Sequence, residues 1–434
     1  MTAVNPPGQT PLRPRETAAA ARTWEIVAAA TTLFARQGFV ATSMDEIAEA
    51  AQVTKRTVYR HMRSKDGVLL AIHQRMIELS SAALADSMPP ETTCARDELA
   101  GYVKAHVEVM TTYATEATVF LEQMKYLSPE HRAEVVAHRD DYEAAFRAVI
   151  EKGIRSGEFS DCSSAIVAQV LLGALNYLYR WYRPDGTLTS DDIADIVLCF
   201  VLHGLRGLVG ETDTSSASVA DKLDGIRRDA SDLTSQMSGK VVSAKFGEVV
   251  DAATALFAER GYQGSSSSDI AEAAHLGKGA LYYHIDGKAS LLSAVLYRAM
   301  SAAEASLSEA IVGTPPVEHV DLLRRVIVEQ CRDIARRQIA VRVTLEEFRY
   351  LSVEESIELT GRQRAFQGLL ARVIALSGTP QSISPERLQV VTSLEIGAIV
   401  FLSRWFHSSG PRSIDDISHE IAAVIELGIA STPN

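Results

Sequence analysis

The chain has 434 residues, too many for one ordinary domain, and 47% of them are apolar, as in a globular protein with a full core. Its formal net charge of −12 excludes a uniformly basic nucleic-acid binder, so any DNA contact must come from local clusters. Cys94, Cys162, Cys199 and Cys331 stand far apart with no CxxC, which suits reduced thiols in a cytoplasmic protein and argues against a disulfide framework or structural zinc site.

Residues 1–19 lack the apolar core of a signal peptide and read as a flexible arm carrying Arg13 and Arg15. From Ile26 a helical pattern begins, with Ile26, Ala29, Ala30, Leu33 and Phe34 on one face and Gly38 in the place of a C-cap. Ser43-Met44-Asp45-Glu46 is a capping box that starts a short helix with Met44, Ile47, Ala48 and Ala51 inward. After a tight connection through Gln52 and Val53, Thr54 is the N-cap of a third helix. There Val58 and Met62 turn inward, leaving Lys55, Arg56, Tyr59, Arg60 and His61 outward. Helix, short turn and helix with an exposed basic face is a helix-turn-helix, predicted within residues 20–80. Lys and Arg neutralise phosphates, and Tyr and His donate hydrogen bonds to them.

Residues 81–210 follow as a second helical domain. Tyr102, His106, Met110 and Tyr113 recur at helical spacing, then Phe120 and Met124, then Tyr142 and Phe146. Such a stripe reads either as core or as a partly apolar ligand pocket. The longest apolar run, AIVAQVLLGALNYLY, is broken by Gln169 and Asn176 and is short for a membrane span, so no membrane partner is expected. His131 and His138, seven apart on one helix, have no third ligand nearby in sequence, so no metal site is expected. Residues 211–241 are polar and Ser-rich and read as a linker with room for a short helix.

Beyond the linker the sequence repeats itself at an offset of 223. Residues 26–72 match 249–295 without a gap at 20 of 47 positions, including Gly38 on Gly261, Lys55 on Lys278, Tyr59 on Tyr282, His61 on His284 and Lys65 on Lys288. Further on the offset is 224: KYLS at 125–128 meets RYLS at 349–352, and Arg180-Trp181 meets Arg404-Trp405. The whole unit is duplicated, giving a second head at 242–302 and a second C-terminal domain at 303–434. The copies are unequal. Seven basic residues face five acidic ones over 22–66, but five face six over 240–288. Tyr113 aligns with Arg337 and Phe120 with Thr344, so two pockets would differ in chemistry.

The stretches AAATTLFARQGFVATSMDEIAEAAQVTKRTVYRHMRSKDGVLLAI and VVDAATALFAERGYQGSSSSDIAEAAHLGKGALYYHIDGKASLLSAV resemble the DNA-binding domain of the tetracycline-repressor family. The resemblance implies an all-α regulator whose C-terminal domains bind a small-molecule effector and pair through a four-helix interface. Two fused copies would form a pseudo-dimer within one chain, on a double-stranded operator with unlike half-sites. Carried over, Lys55, Arg56, Thr57 and Arg60 lie near bases, with Lys278, Gly279, Ala280 and Tyr283 in the second copy. Tyr59, His61 and Lys65, and Tyr282, His284 and Lys288, would hold phosphates, and Ser43 and Ser266 count among the DNA-binding residues. NYLYRWYRPDGTLTSDDIAD, with Tyr177 and Trp181, is similar to a branch regulating fatty-acid and sterol catabolism, which implies an acyl-CoA or other hydrophobic effector. No catalytic set recurs in both copies, so neither enzymatic activity nor a cofactor is expected. The weaker charge of the second head leaves an alternative open: a ligand carrier or enzyme on this scaffold that has lost DNA binding.

Overall fold

A computed structural model of the chain describes residues 18–87, 94–209, 216–235, 244–313, 321–377 and 383–431. The described residues are helical throughout apart from turns and one isolated bridge. The described residues of the first copy form ten α-helices: α1 (Ala18–Gln37), α2 (Met44–Ala50), α3 (Lys55–Met62), α4 (Lys65–Asp86), α5 (Ala95–Thr112), α6 (Ala114–Glu122), α7 (Pro129–Ser156), α8 (Ser164–Asn176), α9 (Leu178–Trp181) and α10 (Ser190–Val209). A connecting helix, α11 (Ser216–Ser235), follows. The second copy repeats the order: α12 (Ala244–Gly264), α13 (Ser267–Ala273), α14 (Lys278–His284), α15 (Lys288–Val312), α16 (Leu322–Arg336), α17 (Gln338–Glu347), α18 (Val353–Leu376), α19 (Pro385–Val400), α20 (Leu402–Trp405) and α21 (Ile414–Leu427).

Each head closes around its own core. Ile26, Phe34, Ile47, Val58 and Leu69 are buried together in the first, and Val250, Phe257, Ile270, Leu281 and Leu292 in the second. Helices α4 and α15 continue from head to body: Val68 and Ile72 belong to the head core, Met76 and Leu84 to the body core.

The two bodies share one continuous core. Helices α8 and α10 pack against α19 and α21. Gly173 and Gly397 let α8 and α19 approach closely: a Cβ on either would stand 3.0 Å from the other's carbonyl oxygen. The chain end joins the first copy, with Phe159 bridging Ala430, Ser160 N donating to Ile429 O (2.8 Å) and Ala430 N to Leu202 O (2.8 Å). Pro385–Trp405 is the one span among the described residues long and apolar enough to cross a membrane, and its most apolar window is 67% buried within the protein, as in a core helix.

Between the copies, α11 extends over 20 residues and docks on α15 and α18. Leu223, Ile226 and Ala230 are buried there, and Ser308 Oγ donates to Ala230 O (2.9 Å). Their spacing of three and four is a helical stripe diluted by serine and charge, which explains its weak showing in the sequence.

Candidate nucleic-acid interface and ligand cavities

In the first head the Ser43 hydroxyl accepts from Glu46 N (3.2 Å) while Glu46 Oε2 accepts from Ser43 N (2.7 Å), completing the capping box. Gln52 turns the chain with φ +54, and Thr54 Oγ1 caps α3 by accepting from Thr57 N (3.2 Å). Val58 and Met62 lock α3 into the core. Lys55, Arg56, Tyr59 and Arg60 are thereby left exposed, with Thr57 and His61 half-buried. Lys55 Nζ lies 2.8 Å from Asp45, whose carboxylate raises its already basic pKa, and His61 Nδ1 lies 2.9 Å from Thr23 Oγ1.

The second head repeats the geometry with different chemistry. Ser266 caps α13 with Asp269, and His275 makes the turn with φ +53. Gly277 opens α14 with no side-chain cap, Leu281 is buried, and Gly279, Ala280, Tyr282 and Tyr283 are exposed. Tyr283 is the most open large side chain here, at 87%. The side chains of Lys278 and His284, and the arm with Arg13 and Arg15, lie outside the described residues.

Lys65 and Lys288 have another role than the phosphate contact expected of them. Lys65 Nζ donates to the carbonyls of Phe39 (2.8 Å), Val40 (3.2 Å) and Thr42 (2.8 Å), and sits 4.5 Å from the Phe39 ring. An ammonium has three protons, and all three are used. Lys288 Nζ binds Tyr262 O (2.8 Å) and Ser265 O (2.9 Å) over the Tyr262 ring. Burial lowers the pKa of both lysines. They staple the turn after the first helix of each head, a contact that depends on tertiary placement.

Two cavities lie in the bodies. The first, of about 400 Å³, has His106, Met110, Phe120, Met124 and Tyr142 in its wall. Tyr102 and Phe146 stand behind them, Phe146 meeting Tyr142 at a tilt (5.4 Å) and Tyr102 edge-on (5.4 Å). Tyr113 lies away from the cavity, its ring 6.0 Å from the Arg75 guanidinium. The cavity also takes Phe401, Arg404 and Trp405 from the other copy. The second cavity, about 160 Å³, is lined by Gln330, Asp333, Arg337, Thr344 and Phe366 of its own unit, and by Tyr177 and Arg180 of the first. Tyr177, expected at an effector site, lines the cavity of the other unit, and Trp181 packs against the shared core and is in the wall of neither cavity. The cause is the crossing of α8 over α19, which carries each unit's RW segment to its neighbour.

Between cavities and heads lies a reciprocal contact that the sequence signalled only as KYLS and RYLS. Arg349 of the second copy donates to Phe34 O (3.2 Å) and Ala35 O (2.9 Å) at the end of α1, and pairs with the buried Glu122. Lys125 of the first copy reaches Phe257 O (3.4 Å) in α12 and pairs with Glu346 (2.9 Å) and Glu347. Burial works against the charged form of Lys125, but the two carboxylates outweigh it and its pKa is raised. Gln123 Nε2 donates to Phe34 O of its own head (2.7 Å). Each head is thus braced by both bodies.

An all-α chain with paired helix-turn-helix heads on cavity-bearing bodies has the architecture of helix-turn-helix regulators. The N-terminal family model, described as bacterial regulatory proteins of the tetR family, matches residues 26–72 and 249–295. The model for the tetracyclin repressor-like C-terminal domain matches 92–205 and 316–429. The chain belongs to the tetR family, as two members joined in tandem. The HTH-type transcriptional repressor KstR2 of Rhodococcus jostii is 26% identical over 186 residues, covering 42% of this chain and 91% of that protein. Among solved structures, the TetR family transcriptional regulator PfmR of Thermus thermophilus is 29% identical with TM-score 0.38, covering 40% of this chain and 96% of that one. AibR, in complex with isovaleryl coenzyme A and operator DNA, is 25% identical with TM-score 0.38, covering 41% and 96%.

Proposed function

We propose that the chain is a ligand-responsive transcriptional repressor that grips one operator with both heads, as a pseudo-dimer made of a single chain. The observation that carries this reading is the shared core of the two bodies, closed through α8, α10, α19 and α21. It leaves the pairing surface already used within one chain. In this reading residues 20–80 and 242–302 are the DNA-binding parts, and 81–210 and 303–434 the effector and pairing parts. Arg56, Thr57 and Arg60, with Lys55, face bases of one half-site. Gly279, Ala280 and Tyr283, with Lys278, face the other. Ser43, Tyr59, His61, Ser266, Tyr282 and His284 hold phosphates.

Unlike recognition helices read unlike half-sites. Arg makes bidentate contacts to guanine that Gly cannot, worth about 1–3 kcal/mol of discrimination per good pair. The relative KstR2 is named a repressor, which supports that sign of regulation. The first cavity holds the effector, a hydrophobic ligand of the kind lipid catabolism supplies. Phe120 and Met124 line it, and the chain runs directly on to Lys125 and Tyr126, which touch the second head. A ligand that displaces this segment acts on the opposite head and alters the spacing between heads.

Light scattering combined with a mobility shift on the DNA flanking the gene tests the reading. The expected result is a species of one 47.1 kDa chain that shifts DNA alone. A species of two chains as the only DNA-binding form would overturn the pseudo-dimer, and absence of any shift would favour a carrier that has lost DNA binding.

A further inference from the structure

The wall of the first cavity carries an unusual set of unpartnered nitrogens. Arg404 Nε and Nη2, Trp405 Nε1 and His106 Nε2 are buried there with no hydrogen-bond partner among the described residues. The His106 Nδ1 is 2.9 Å from Tyr142 Oη; when the tyrosine donates, the proton of the neutral imidazole sits on Nε2. Arg139 adds a second guanidinium, whose Nη1 meets the Met124 thioether sulfur at 3.7 Å, a weak acceptor. Buried donors left without acceptors are costly, and two guanidinium groups on one cavity repel each other.

Nearby carboxylates leave their hydrogen-bonding unmet. Glu346 forms an ion pair with Arg404 Nη2 at 3.7 Å but accepts no hydrogen bond from it, and it is shared with Lys125 at 2.9 Å. Glu143 is held by Gln169 Nε2 (2.5 Å), and Asp140 is exposed at the rim. The rest of the wall is mixed, with Met76, Met110, Phe120 and Leu172 beside polar groups such as Ser80, Gln169 and Asn176. Within the roughly 300–1,000 Å³ of small-molecule sites, this cavity offers apolar surface together with buried donors that lack acceptors.

We propose that the first cavity binds an amphiphilic carboxylate, its oxygens held between Arg139 of the first copy and Arg404 and Trp405 of the second, its apolar body against the methionines. The proposal rests on the effector reading above and adds the chemistry of the head group and the fact that both copies supply it. A carboxylate accepts several hydrogen bonds at once and is the planar partner a guanidinium fits. The equivalent positions of the second unit cannot do this. Gln363 stands in place of Arg139 and Gln330 in place of His106. Arg337 in that cavity already pairs with Asp333, and Arg180 with Glu122 at 3.5 Å. Among the described residues the second cavity keeps one unpartnered buried donor, Gln330 Nε2, against four in the first, so the two differ in the donors left for an anion.

Titration calorimetry of the full chain with octanoate, 1-octanol and octanoyl-CoA tests this. Octanoate should bind about ten- to a hundredfold tighter than octanol, as expected for hydrogen bonds to a charged group. Arg139→Gln and Arg404→Gln should each weaken octanoate at least about tenfold and octanol much less, removing that preference. Trp405→Phe, which deletes one donor and keeps the bulk, should reduce it, and it preserves the test should an arginine variant fail to fold. Equal binding of acid and alcohol to the wild type would overturn the proposal while leaving an effector cavity. Binding of octanoyl-CoA alone, insensitive to Arg139→Gln, would place the anion on the coenzyme outside the cavity and overturn it too. No binding of any of the three would sink the lipid-effector reading along with it.

Discussion

The hydroxyl of Tyr350 occupies the space that a Cβ on Gly38 would need, in the head of the other copy, and Tyr126 stands in the same relation to Gly261. Both glycines are in the left-handed region, with φ +85 and +74. Each tyrosine ring also stacks on its own head, Tyr126 on Phe39 (5.3 Å) and Tyr350 on Tyr262 (5.4 Å). One residue thus ties two heads together across the copy boundary.

Gly38→Ala should destabilise the chain by about 1–3 kcal/mol through backbone strain and steric conflict together. Tyr350→Phe removes the atom in conflict but not the strain. The double variant should recover part of the loss in urea unfolding. No recovery would show that Tyr350 moves aside freely and that φ alone sets the cost.

Lys125 follows Met124 of the first cavity wall and reaches Phe257 O in the second head. Lys125→Met should keep ligand binding and lose the response of operator affinity to ligand, an ordinary coupling of about 1–3 kcal/mol. It leaves Glu347 buried without its cation, so a loss of about 3 kcal/mol in stability is also expected. A variant that still releases DNA normally on ligand addition would show that the signal takes another route.

Phe120→Arg places a charge in the first cavity and should abolish the ligand response with operator affinity nearly unchanged. Thr344→Arg is its counterpart in the second cavity and should be silent. The reverse outcome in a mobility shift would make the second cavity the sensor.

Footprints of Tyr59→Ala and Tyr282→Ala should each blur a different half of one asymmetric site, with the larger affinity loss from Tyr59→Ala, whose helix carries more cations. Selection from random DNA that returned a perfect palindrome would refute the idea of unlike half-sites.

Glu395, in α19, is fully buried and neither of its oxygens has a partner among the described residues, so burial pushes its pKa from 4.5 up to about 8. Below pH 4.5 folded and unfolded chains both hold the proton. Between 4.5 and 8 only the unfolded chain releases it, so this group erodes stability as pH rises. Glu395→Gln should therefore stabilise little at about pH 5 and by about 3–5 kcal/mol at about pH 8, measured in urea. The same gain at both pH values would mean that the carboxyl ionises freely in the fold.

Much of the heads was legible because the signals there are local. The offset of 223 aligns Gly38 with Gly261, the S-x-x-E box fixes the start of α2, and helical period alone separates Val58 and Met62 from Lys55, Arg56 and Tyr59. Five of the ten residues expected in a pocket do line the first cavity, since an aromatic and methionine stripe on α5 to α7 must face the body interior. What the stripe could not contain was Arg404 and Trp405, which enter from the other copy, or the turn of Tyr177 toward the opposite cavity. Nor could it reveal that the Lys65 ammonium is consumed by three carbonyls. Periodicity reports which face of a helix is apolar but not which partner covers it. That was decided by how closely α8 and α19 approach at Gly173 and Gly397, a relation between distant segments that no window of sequence contains.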